Sequence, residues 1–212
     1  MRRACISLFI VILLAGIVAY RQMAVSAAES DPSTWGASDP TWSPDGKQIA
    51  FTLFGSIWVV DAEGGDARQI TASAGYHAHP AWSPKGDFIA FVAGSAPAGR
   101  VPNISGRLKL VNVSTSEERD IATPFPTGGT VAWSPDGERL VVALRIPNQG
   151  AFLHEIPIRG GNARQLQSMP QRQGVGDWLD ASYARDGREI FFSGTRRESG
   201  QVWSIPAGSP PI

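Results

Sequence analysis

An all-β fold made from one repeated four-stranded unit is predicted by three observations. A motif of aromatic residue, turn and apolar strand occurs four times, as PTWSPDGKQIAF from Pro40, PAWSPKGDFIAF from Pro80, VAWSPDGERLVV from Val131 and ASYARDGREIFF from Ala181. A second block follows each copy: IWVVDAEGGDARQI from Ile57, LKLVNVSTSEERDI from Leu108, LHEIPIRGGNARQL from Leu153 and, shorter, VWSIPAGSPP from Val202. The 23 Gly and 16 Pro, beside seven Trp and nine Phe in 212 residues, suit many short strands better than a few long helices. The anchors Trp42, Trp82, Trp133 and Tyr183 lie 40, 51 and 50 residues apart. Four antiparallel strands at such a period are the signature of a β-propeller blade.

Residues 1–28 read as a leader. Arg2 and Arg3 precede an apolar run from Ala4 to Tyr20, and small residues from Ala24 to Ala28 follow Arg21. This is the pattern of a secretory signal peptide, and a run of 17 residues is also at the short limit of an uncleaved membrane anchor. Either reading exports the body to the periplasm or another extracytoplasmic space. The sole cysteine, Cys5, lies in the apolar run, so disulfides and thiolate metal sites are excluded from the body. The leader takes three of the 19 Lys+Arg and none of the 19 Asp+Glu, which leaves the body mildly acidic. No nucleic-acid partner is expected.

Residues 29–39 form a linker, and residues 40–212 hold the repeats, with blades at about 40–72, 80–123, 131–167 and 181–206, the last incomplete. Each blade reads as strands a to d. In the first, strand a ends at Trp42, and Ser43-Pro44-Asp45-Gly46 fits a type I turn closed by a left-handed glycine. Strand b is Ile49–Phe51, strand c Ile57–Val60, and Gly64-Gly65-Asp66 turns into strand d from Ala67 to Thr71. The aromatic anchor is expected between adjacent blades. Asp45 and Asp136 are turn residues, and Lys85 in the same place in the second blade indicates that the acid is dispensable there. Arg68, Arg119 and Arg164 open strand d, where a basic row protects an edge from pairing.

The repeated W-S-P-D-G, I-A-F and I-W-V-V-D-A-E-G-G blocks resemble those of the TolB-like, WD-repeat-related propeller family of bacterial envelope proteins, over residues 40–206. The resemblance implies a propeller that serves as a binding module in the cell envelope. It does not by itself assign a function, because the same blades gate prolyl-oligopeptidase-like enzymes and build some sugar-acid lyases. TolB itself has an amino-terminal domain and six blades. The expectation here is therefore a truncated propeller, about four blades of a six- to eight-bladed ring, with a genuine four-bladed ring and self-association through incomplete blades as alternatives.

Spacing locates the face that carries function. Phe51 to Ile57 is 6 residues, whereas Phe91 to Leu108 is 17, Val142 to Leu153 is 11 and Phe192 to Val202 is 10. Leu166 to Tyr183 is 17 against 12 from Ile70 to Trp82. Every insertion thus falls in a b–c or d–a connection, on the side of the ring opposite the SPDG turns, and insertions gathered on one face mark a binding face. The candidate loop residues are Arg100, Asn103, Arg107, Arg145, Arg172, Arg196 and Arg197. Just before strand a, Asp39, His79, Thr130 and Asp180 hold equivalent positions near the channel mouth, with His77 two residues earlier. A His-x-His spacing on a strand places both rings on one face, which permits a metal. The plainer reading is that they cap the strand, and no metal or other cofactor is assigned.

No G-x-S-x-G elbow, H-E-x-x-H, Walker or dinucleotide motif occurs. Two functional readings remain: a non-catalytic exported propeller that binds an envelope protein or cell-wall glycan, or the amino-terminal propeller portion of a larger peptidase or lyase.

Overall fold

The computed structural model describes residues 36–95, 104–166, 179–196 and 199–208, all of them strand, turn or irregular backbone. The leader and most of the linker lie outside the described residues. Among the described residues no helix is long and apolar enough to cross a membrane.

Among the described residues fifteen strands fall into four sets in chain order. The first comprises β1 (Ser38–Trp42), β2 (Gln48–Leu53), β3 (Ser56–Asp61) and β4 (Arg68–Gln69); the second β5 (Tyr76–Trp82), β6 (Phe88–Gly94), β7 (Ser105–Asn112) and β8 (Glu118–Ile121). The third comprises β9 (Thr127–Trp133), β10 (Arg139–Ile146), β11 (Gly150–Pro157) and β12 (Arg164–Gln165), and the fourth β13 (Leu179–Tyr183), β14 (Glu189–Arg196) and β15 (Ser199–Pro206). Within each set consecutive strands pair antiparallel. No strand pairing joins the first set to the fourth among the described residues.

The a–b turn is a local device. Ser43 Oγ accepts from Gln48 N–H at 2.9 Å and donates to Asp45 Oδ1 at 2.7 Å, while Gly46 takes φ 72°. Ser134 and Asp136 repeat the arrangement. In the second unit, with Lys85 in the acid's place, the carboxylate is not dispensed with: Ser83 Oγ donates to Asp87 Oδ1 at 2.7 Å, so the acid has moved two residues along. The positive φ is one reason for the turn glycine and a close approach is the other. A Cβ on Gly86 would lie 3.4 Å from Pro44, and one on Gly187 3.4 Å from Pro135, so successive turns stack glycine on proline.

Alternation along the strands gives each sheet two apolar faces, and the facing pairs of successive units are buried. The forward face of the first unit (Ala50, Ile57, Val59, Ile70) packs with Trp82, Ile89, Phe91 and Val111 from the rear face of the second. Ala90, Val92, Leu108 and Leu110 likewise meet Trp133, Leu140, Val142 and Ile156. Val141, Ala143 and Leu153 meet Ala181, Ile190 and Phe192, with Tyr183 against them. Trp82, Trp133 and Tyr183 therefore each enter the unit before their own. Trp82 and Trp133 are each 8% exposed, and Trp133 Nε1–H donates to Ala81 O at 2.8 Å.

Two features depart from the sequence reading. Arg68 and Arg119 do not simply guard an edge: Arg68 donates to Val113 O at 3.0 Å and Arg119 to Ile158 O at 3.0 Å, both reaching past their own unit to the c–d turn of the next. Arg164 serves a different partner, Glu155 of its own unit. Units two and three are also joined directly, because Ser105 and Gly106 of β7 pair with Gly128 and Thr127 of β9. Gly106 is obligatory where β7 runs beside β6, since a Cβ there would lie 2.0 Å from Ala93 O.

Truncating Trp82 or Trp133 to Ala is expected to cost about 3–5 kcal/mol in urea unfolding, as for other buried aromatics. Trp42→Ala, at a position 59% exposed, should cost about 0.5 kcal/mol or less. Equal losses at all three would contradict the packing order.

Candidate functional site

The tops of the inner strands carry an irregularity that alternation alone does not give. In β1 the pairing with β2 slips between Ser38 and Thr41, and in β5 the pairing with β6 slips between Ala78 and Ala81. Asp39-Pro40 and His79-Pro80 are thus bulged out, each proline sitting where no N–H is demanded. Asp39 has φ 52° and His79 φ 55°, left-handed values that cost roughly 1–3 kcal/mol in a non-glycine residue and concentrate at functional positions. In β9 the slip falls between Gly128 and Val131, and the left-handed residue is Gly129, at φ 76°. Thr130 is therefore not the equivalent of His79, because the third bulge sits one residue earlier. Asp180 departs further: it is exposed and lies in regular register opposite Ser193.

The bulges bring two of the predicted residues together. Asp39 Oδ2 lies 3.6 Å from His79 Nδ1. Neither His79 ring nitrogen has a hydrogen-bond partner within normal range, although both are buried. The His79 ring and its backbone N–H hold the Asp39 carboxyl below the usual carboxylate range. Tyr76, which the sequence reading did not select, stands within reach of this charge, and its phenol is raised first by burial and then by Asp39.

His77 and His79 are separated by the start of the bulge and have different partners. His77 is buried, 5.0 Å from the Phe91 ring, in a network spanning the first and second units. Ser73 Oγ donates to Glu118 Oε2, so it accepts from Lys109 Nζ at 3.0 Å and from His77 Nε2 at 3.2 Å. That assigns the His77 proton to Nε2, and Nδ1 then accepts from Thr71 Oγ1 at 2.8 Å. Thr71 Oγ1 in turn accepts from Ile57 N–H, which completes the chain. Glu118 Oε1 takes the N–H groups of Ala72 and Ser73, fastening the connection between units. Although burial opposes it, these bonds and the Lys109 ammonium at 2.9 Å hold the Glu118 carboxyl down to about 2. Lys109 faces Glu118 and Asp120, and the His77 lone pair is taken by Thr71. The signal in the sequence was Lys109 itself, a charge at an inward position of the apolar run L-K-L-V. The pattern L-H-E-I hides a parallel case: Glu155 is buried, accepts from Tyr183 Oη at 2.7 Å and faces Arg139 at 3.4 Å.

Of the loop residues, Arg107 is exposed and pairs with Asp120 at 3.2 Å. Arg145 runs its stem along the third bulge, 3.5 Å from where a Gly128 Cβ would stand. Arg100, Asn103, Arg172 and Arg197 lie outside the described residues, and Arg196 is described only as the end of β14. Among the described residues no three His, Cys, Asp or Glu side chains gather as metal ligands.

Burial depresses the proton affinity of His77, and it does the same to His154, whose Nδ1–H donates to Phe152 O at 2.9 Å. Folded pKa values below the ordinary histidine value of about 6.5 mean that the unfolded chain binds protons first as pH falls. Stability should therefore drop between pH 7.5 and 5.5 in urea titrations, and His77→Gln should flatten that dependence. A stability that is level or rising over this interval would contradict the buried neutral state.

No protein-family model matches the sequence. The chain is 26% identical over 170 residues to an uncharacterized peptidase, YuxL, of Bacillus subtilis, covering 77% of this chain and 22% of that protein. It is 25% identical over 173 residues to dipeptidyl-peptidase 5 of Porphyromonas gingivalis, covering 74% and 24%. The chain thus spans about a quarter of the length of these curated relatives. Among solved structures it matches TolB of Acinetobacter baumannii with TM-score 0.63 at 19% identity, covering 84% of this chain and 42% of that one. It matches a putative TolB of Agrobacterium tumefaciens with TM-score 0.64 at 21% identity, covering 81% and 58%. The fold is that of a TolB-like β-propeller.

Proposed function

We propose that this chain is a non-catalytic, exported propeller segment of the cell envelope, contributing about four blades to a six- to eight-bladed ring. It binds a protein or cell-wall glycan on the face bearing the b–c and d–a connections. One observation carries the reading: Asp39 and His79 take left-handed backbone and stand 3.6 Å apart at the strand ends opposite the S-P-x-G turns, and those turns are tied down by glycine stacked on proline. The shared TolB-like fold and the apolar leader support an envelope role. Arginine-rich loops supply the contacts, each exposed charge pair adding roughly 0.2–1 kcal/mol and weakening with salt.

A second reading is favoured by the two peptidase relatives: the chain is the propeller portion of a larger hydrolase, and its face gates a catalytic domain. The reading frame beyond Ile212 separates the two, since a G-x-S-x-G elbow there would identify the hydrolase.

The binding reading is tested by cosedimentation with purified cell-wall sacculi and by crosslinking in intact envelopes. Replacing residues 96–103 by a short Gly-Ser linker, or both Arg196 and Arg197 by Ala, should lower capture several-fold, whereas Asp45→Asn and Asp136→Asn should leave it unchanged. Loss of capture from the two turn variants alone, in folded protein, would place the functional face on the other side.

A further inference from the structure

The b–c connection of the first unit carries a residue that its own conformation and burial do not call for. Leu53 pairs with Ser56, so Phe54-Gly55 is a two-residue hairpin loop, and both residues are left-handed, at φ 50° and 71°. A type I′ turn of this kind favours Asn, Asp or Gly at its central positions. The b–c connection of the third unit places Asn148 in the left-handed region, at φ 63°. Phenylalanine strains that backbone and gains no burial in exchange, since Phe54 is 67% exposed.

The turn is nevertheless held firmly. Gly55 O accepts from His77 N–H at 2.9 Å, and a Cβ on Gly55 would lie 2.9 Å from Tyr76 Cδ2, so the Tyr76 ring is seated on the turn backbone. Tyr76 also links the turn to Asp39, whose charge its phenol feels. Ser38, beside Asp39, pairs with Thr52, two residues before Phe54. An exposed phenyl, a half-buried phenol and a carboxylate thus stand at one strand end of the junction between the first and second units.

Asp39 differs from the other partly buried carboxylates. Glu118 faces Lys109 at 2.9 Å, and Glu155 faces Arg139 at 3.4 Å. Asp39 meets Ser38 Oγ at 3.4 Å and His79 Nδ1 at 3.6 Å, and among the described residues no lysine or arginine pairs with it. Its side chain is 28% exposed, so its charge can be reached from solvent.

We propose that Phe54, Tyr76 and Asp39 form a receptor for one basic side chain of a partner polypeptide, an arginine in preference to a lysine, which rests on the reading of this face as the binding face. Asp39 supplies the counter-charge. The rings beside it take the guanidinium, which is planar, weakly hydrated and stacks on aromatic faces. A neutral glycan would use the rings and leave the charge unanswered. Phe54 is kept for binding at a cost to the fold, and that trade separates a contact residue from a structural one.

The test follows the fluorine signal of Tyr76 in the full chain labelled with 3-fluorotyrosine, assigned with Tyr76→Phe. Two short peptides, acetylated and amidated, differ only in carrying arginine or its uncharged isostere citrulline. The arginine peptide should shift the Tyr76 signal saturably and leave that of Tyr183 in place, and the citrulline peptide should bind about fivefold more weakly. Asp39→Asn, which keeps a residue tolerant of left-handed backbone, should abolish the preference for arginine. Phe54→Asn should weaken the arginine peptide about threefold while raising the urea midpoint of unfolding, because Asn-Gly suits the turn better. Equal responses to the two peptides would overturn the proposal, as would a Tyr76 response only to an N-acetylglucosamine oligomer, which would make the site a glycan subsite. A Phe54→Asn chain that unfolds more readily than the wild type would also overturn it, by making Phe54 structural. Envelope capture is a separate readout. Capture by a chain whose Tyr76 ignores the arginine peptide overturns this receptor and leaves the binding face standing, whereas a Tyr76 response without capture upholds the receptor and counts against the wider reading.

Discussion

The structure depends on the aromatic rings of the second, third and fourth inner strands packing into the unit before their own. A four-stranded sheet of this size cannot cover its own two faces, so its apolar side chains are satisfied only by neighbours. An aromatic side chain removes about 150–250 Å2 from water, which at roughly 25 cal/mol per Å2 amounts to about 4–6 kcal/mol as an upper bound. An arginine reaching a carbonyl, as Arg68 and Arg119 do, contributes on the order of 1–3 kcal/mol. The indole contact sets the order and the spacing of the units; the glycine–proline stack and the arginine caps trim their orientation.

This hierarchy explains why the two sides of the propeller differ. On the turn side, Ser43, Ser83 and Ser134 close short loops with their own carboxylates, and Lys85 links to Glu138 of the next unit at 3.2 Å. Little length variation fits there without breaking the stack. On the opposite side, the connections leave from strands whose packing is already complete, so loops lengthen at small entropic cost. The bulges at Asp39 and His79 belong to that freer side, and their strain is held by the paired strands beneath them. The Ser73–His77–Lys109–Glu118 network shows how the linkers are nevertheless fixed, by a carboxylate capturing two backbone N–H groups.

Much of this was legible in the residues. The period, the anchors and the S-P-x-G turns each follow from a short-range rule, so the strands appeared close to where the sequence placed them. What stayed hidden involved partners far apart in the chain. The role of Arg119 depends on Ile158 O, a carbonyl in the next unit, and composition at the start of a strand says nothing of it. Lys85 read as a lost acid because the replacement, Asp87, lies two positions further on. Thr130 was misaligned because a bulge shifts by one residue without altering the anchor spacing. His77 and His79 were read as a pair, and which partners each takes, Thr71 and Ser73 for one and Asp39 for the other, depends on chain segments that their spacing does not report.

The central claim is that Trp82 and Trp133 are sealed by the preceding unit whereas Trp42 is exposed. It is tested most directly by fluorine NMR of the chain labelled with 5-fluorotryptophan, each resonance assigned by single Trp→Phe replacements, in the presence of a soluble paramagnetic probe. The account predicts strong broadening of the Trp42 signal with Trp82 and Trp133 nearly untouched. Broadening of Trp82 or Trp133 comparable to that of Trp42 would contradict it.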